Sequence, residues 1–158
     1  MDTCLVAVPA YSTLGFFDDP LTDPMLRGDD GRVVEIVLHE LVHATVFIAS
    51  EPEFNEGAAQ FVGEEGSVRF FAEHDPPRAA RRRAAVLDDR RIADTLMALR
   101  SRIADLYAQS PASQERTARR AALETETREA LAALPLSTRE AADVAERVRL
   151  GDACLALR

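Results

Sequence analysis

From Arg32 to about Ala49 apolar residues recur at three- and four-residue steps. Val33, Ile36, Val37, Val42 and Val46 carry this helical pattern. Ser50-Glu51-Pro52 breaks this pattern, and Pro suits the first turn of a following helix that carries Asn55 to about Ala72. Gly57, Gly63 and Gly66 weaken that second helix locally. Asp75-Pro76-Pro77 is the clearest boundary. Beyond it Ile92, Leu96, Leu99, Ile103 and Leu106 alternate four- and three-residue steps, a heptad-like seam. Ser110-Pro111 ends that helix and another runs from about Ser113 to Leu134, so the pair predicts an antiparallel hairpin. After Pro135, Ser137-Thr138-Arg139-Glu140 matches a capping box and opens a last helix that is unfinished at Arg158. Ahead of all these, Leu5-Val6-Ala7-Val8 is a short β-like run ended by Pro9, and Tyr11 to Gly31 is rich in turn formers.

The expected fold class is therefore mainly α, or α+β with one short N-terminal strand element. Residues 1–75 hold the strand, the loop and the first helix pair. Residues 76–135 form a long antiparallel helical hairpin and residues 136–158 a C-terminal helix, all within one domain. A chain of 158 residues is long enough for a substantial core. No apolar run approaches the roughly 18–20 residues that span a bilayer, so no transmembrane segment is expected. Met1-Asp2-Thr3-Cys4 lacks a basic n-region and Leu5 to Ala10 is too short for an h-region, so the start carries no signal-peptide pattern.

Net charge −8 argues against nucleic acid as a partner. All 19 basic residues are Arg. The run Arg78 to Arg83, interleaved with Ala and followed by Asp88-Asp89, reads as a solvated helix face. Cys4 and Cys154 fit no CxxC spacing, and sequence leaves their pairing open.

The first helix carries His39-Glu40-Leu41-Val42-His43. Histidines four apart share one helical face, so both imidazoles can reach one metal ion. Glu40 is rotated away from that face but stays beside it, where a general base for a zinc-activated water belongs. A catalytic zinc takes three protein ligands and leaves a fourth position open. The expected first helix continues about six residues past His43, roughly 9 Å, and the second returns about five residues, roughly 7–8 Å, to Glu56. Antiparallel packing then sets Glu56 opposite His43. Glu53, Glu64 and Glu65 are the substitutes, and His74 reads as a capping or surface residue rather than a fourth ligand. Zn2+ is the expected cofactor, although a His2Glu site also accepts cobalt or manganese.

Ala10-Tyr11-Ser12-Thr13-Leu14-Gly15-Phe16-Phe17-Asp18-Asp19-Pro20, His39 to His43, and Phe54-Asn55-Glu56 with Ala59, Phe61 and Val62 resemble the bacterial putative aminopeptidase family of HExxH zinc metallopeptidases. The match is close from Cys4 to Arg69 and looser beyond. Phe16 stands where the family has Trp, and Gly57, Ala58 and Gln60 stand where it has Ser, Phe and Thr, while the small residue at Ala59 is kept. The resemblance implies a gluzincin-like zinc peptidase acting on peptide substrates, with His39, His43 and Glu56 as ligands and Glu40 as base. It implies exopeptidase action, on which the residues themselves are silent. It also implies longer relatives of the bacterial cell envelope, which makes this chain a fragment.

Tyr11, just after the short strand, is the candidate donor to the oxyanion, and a core aromatic is its plainer role. Asp18 and Asp19 read as turn residues before they read as a site for a substrate amine. In thermolysin-like gluzincins an Asp four residues after the ligand Glu supports the histidines. Gln60 stands there in this chain, so Glu35, one turn before His39, and Asn55, beside Glu56, are the candidates for supporting the ligands. The competing function is an inactive or truncated relative whose hairpin binds a partner through an exposed seam along Ile92, Leu99 and Leu106.

Overall fold

The structure is a computed structural model and describes residues 3–5, 23–26, 29–109 and 112–156. These residues are mainly helical and include no strand. Leu5 is irregular, and the rest of the expected strand, Val6 to Val8, lies outside the described residues, as does Ser110-Pro111. The helices are α1 (Asp23–Leu26), α2 (Asp30–Thr45), α3 (Pro52–Ala72), α4 (Pro76–Ala108), α5 (Ser113–Ala132), α6 (Ala141–Arg147) and α7 (Asp152–Ala156). None is long and apolar enough to cross a membrane.

The helix ends follow local chemistry. The Asp29 carbonyl accepts from Arg32 N and Val33 N to start α2. The expected run to Ala49 stops four residues early, at Thr45. Thr45, Val46 and Ile48 are β-branched and favour extended backbone, which Val46 adopts at φ −132° and ψ 118°. Pro52 opens α3, where its missing N–H costs nothing. Asp75 Oδ1 accepts from Arg78 N at 3.0 Å and so caps α4 behind Pro76 and Pro77.

Two compact units result, residues 7–83 and residues 1–6 with 84–158. The second has an apolar core of Ile92, Leu96, Leu99, Ile103, Leu131, Ala145, Leu150 and Leu155. Arg102 pairs with Glu126 at 2.6 Å and Arg119 with Gln109 at 2.7 Å, so α4 and α5 are matched in opposite directions there. Cys4 and Cys154 form a disulfide, 150 residues apart in sequence.

The expected last helix is two short ones. The Ser137–Glu140 segment is no capping box. Buried Asp88 instead accepts from Ser137 N, Thr138 N and Thr138 Oγ1 at 2.7–3.0 Å. Those donors are therefore taken before α6 begins at Ala141. Burial pushes the Asp88 carboxyl up, but the bonds from Thr138 and Ser137, with the Arg139 charge, outweigh it and leave it below its ordinary value.

The unit of residues 7–83 packs α3 along α2, and among its described residues the buried apolar side chains are Ala59, Phe71 and Ala79. A Cβ at Gly63 would lie 2.8 Å from the Glu35 carbonyl oxygen and 3.4 Å from His39 Cβ, so only glycine permits this approach. At Gly66 a Cβ would meet only the tip of the Leu38 side chain, at 2.7 Å, which can move aside. Gly63 serves helix packing, which offsets its low helix propensity.

Candidate metal centre

His39 and His43 lie one turn apart on α2, and Glu56 rises from the second turn of α3. The connector between them is shorter in helix than the sequence suggests. It is extended at Val46, and Ser50 turns it with a positive φ of 67°. Asn55, which is buried, closes it: Ile48 N donates to Asn55 Oδ1 at 3.0 Å, and Asn55 Nδ2 donates to Ile48 O at 2.8 Å. Both amide atoms are thus committed to one backbone residue, immediately before Glu56.

The three side chains converge. His39 Nε2 and His43 Nε2 are 3.1 Å apart. Glu56 Oε2 lies 3.5 Å from His39 Nε2, and Glu56 Oε1 lies 3.3 Å from His43 Nε2. A tetrahedral zinc with bonds of about 2.0–2.1 Å separates its ligand atoms by about 3.3–3.4 Å. The imidazole pair lies close to that spacing, each imidazole has a different Glu56 oxygen about as far away, and one ligand atom from each of the three residues lies within 4.8 Å of the others. His39 Nε2 and His43 Nε2 are within hydrogen-bond distance, and two imidazoles with one carboxylate are a donor set whose chemistry fits a divalent cation. The histidine side chains are partly sheltered while that of Glu56 is 68% exposed, so the cluster opens to solvent on the α3 side.

Glu40 follows His39 on α2 and is partly exposed; among the described residues no ion pair engages its carboxylate. Glu64 accepts from Gln60 Nε2 at 2.7 Å, and Glu65 binds Arg83 at 2.7 Å through both oxygens. Glu56 is the acid that the structure brings to the histidines. His74 is exposed and donates from Nδ1 to Phe70 O. Tyr11, Asp18 and Asp19 lie outside the described residues.

A family model described as "Putative aminopeptidase" matches residues 1–147. The chain belongs to this putative aminopeptidase family. No curated protein and no solved structure matches it.

Within this family member, Glu35 is placed one turn from His39 but turns its carboxylate to Arg32, Gln60 and Arg82. The Arg-rich run is not the solvated face expected. Arg78 binds Asp30, Arg83 binds Glu65, and Arg82 is buried against Glu35 and Ser67. Sequence held a signal for this. A lone acid in Val33-Val34-Glu35-Ile36-Val37 needs a buried partner, and Arg78 and Arg82 are spaced to share one face of α4.

Proposed function

We propose that the chain is a zinc-dependent peptidase, acting as an aminopeptidase, with His39, His43 and Glu56 as ligands and Glu40 as general base. The convergence of His39, His43 and Glu56, whose ligand atoms lie within 4.8 Å of one another, carries this reading, and family membership supports the peptidase class. A bound zinc supplies Lewis acidity to the scissile carbonyl and makes water more acidic. Glu40 takes the proton of the attacking water as oxygen bonds to the carbonyl carbon. It then returns that proton to the amine as the C–N bond breaks. Tyr11 is proposed as the donor to the oxyanion.

The competing reading as a partner-binding module needs an exposed seam along α4. Ile92, Leu99 and Leu106 are buried, which leaves it no docking face there. For compartment, we propose an oxidising one such as the bacterial cell envelope, supported by the Cys4–Cys154 disulfide.

Zinc stoichiometry on the purified chain, beside His43→Ala and Glu56→Ala, tests the site. One zinc per chain, lost in both variants, is expected. Glu40→Gln should keep the zinc and lose about 10²–10⁴-fold in hydrolysis of aminoacyl substrates. No zinc in the wild type after reconstitution would remove the proposal.

A further inference from the structure

Glu35 is 3% exposed and Arg82 6%. A buried carboxylate persists only when it is paired and hydrogen-bonded, and Glu35 is both. Arg82 Nη2 bonds to Glu35 Oε2, while Arg82 Nε donates to Ser67 Oγ at 2.9 Å. One guanidinium thus holds α2 through Glu35 and α3 through Ser67. Gln60 Nε2 adds a direct link, donating to Glu35 Oε1 at 3.2 Å.

The register of these groups matters. Glu35 is four residues before His39, and Gln60 is four after Glu56. Each step is one helical turn, about 5.4 Å. The Glu35–Gln60 link therefore ties the two helices together one turn from the donor atoms. Gly63 lets the helices close at this level, beside Glu35 and His39 Cβ. Arg78 to Asp30 and Arg83 to Glu65 fasten the same stretch of α4 to α2 and to α3.

We infer that Arg82 is a positioning residue for the donor triad: through Glu35, Gln60 and Ser67 it sets the separation of α2 from α3, and with it the distance of His39 and His43 from Glu56. This rests on the metal-binding reading proposed above. A planar guanidinium reaches two partners at fixed angles, which an ammonium does not.

The test is zinc affinity by competition with a chelator, read beside the melting temperature of the metal-free chain and the visible spectrum of the cobalt(II) form. Arg82→Met should weaken zinc binding about 10–100-fold. It strands the Glu35 charge, so the double variant Arg82→Met/Glu35→Leu separates folding from positioning. The double variant should recover most of the metal-free melting temperature, yet keep weak zinc binding and an altered cobalt spectrum. Arg82→Lys should melt near the wild type and bind zinc less tightly. Wild-type affinity in the double variant or in Arg82→Lys would overturn the inference while leaving the metal site standing. Absence of zinc in the wild type would overturn both.

Discussion

Among the described residues, 84–158 bury Ile92, Leu96, Leu99, Ile103, Leu131, Leu150 and Leu155, with Asp88 and Thr127 as polar exceptions; residues 7–83 bury Glu35, Asn55, Glu64, Ser67 and Arg82 beside Ala59, Phe71 and Ala79. An apolar interior gains free energy from area removed from water, with little regard to direction. A polar interior gains little net and is costly when a partner is lost, but each bond fixes an angle and a distance. The directional interior lies beneath the three converging donors, where position matters. The apolar interior belongs to the unit without that cluster.

Three perturbations probe this contrast. Leu131→Ala, in the apolar core, should cost about 2–5 kcal/mol. Amide hydrogen exchange should show the loss in α5 while zinc stoichiometry stays unchanged. Loss of zinc in that variant would mean that the two interiors are not separable. Gly63→Ala places a methyl against the Glu35 carbonyl and should cost about 1–3 kcal/mol through overpacking. Its effect should appear in α2 and α3 and should weaken zinc binding, the reverse of the leucine variant.

The smallest effect is acid sensitivity of residues 84–158. The Asp88 carboxyl sits below its ordinary value, so the unfolded chain binds its proton more readily than the folded one. That contribution is complete above the unfolded value, about 3.9, and is lost as pH falls through the folded one. Asp152 acts in the same sense. Burial raises its carboxyl, but bonds from Tyr107 and Arg120 outweigh this and leave it lowered. Asp88→Asn should flatten part of the fall in stability below about pH 4. An unchanged slope, followed by amide exchange or by denaturant melts, would discount the Ser137–Thr138 bonds as its source.

The convergence of His39, His43 and Glu56 was legible because it is local. Helical spacing fixes His39 against His43, and a single connector separates them from Glu56. The connector itself was misjudged. Val46 continues the helical period, yet this β-branched residue takes extended backbone and ends α2. The return was still close enough, because Asn55 anchors on Ile48. Arg82 was illegible by composition alone. Arg among Ala and Asp describes a surface equally well, and its partner Glu35 is 47 residues away. Asp88 escaped for the same reason, since its donors lie 49 and 50 residues on and outcompete a local capping pattern. Pairing of Cys4 with Cys154 had to wait for the fold to bring them together.

That disulfide has a consequence for the order of events on the ribosome. Cys4 is made ahead of α2 and α3, and its partner follows 150 residues later. At about 5–20 residues per second that interval is roughly 8–30 s. By then every residue of α2 and α3, and Arg82 with them, has already been made. The thiol of Cys4 therefore waits until the unit carrying His39, His43 and Glu56 has been made, and its covalent closure follows the synthesis of all three.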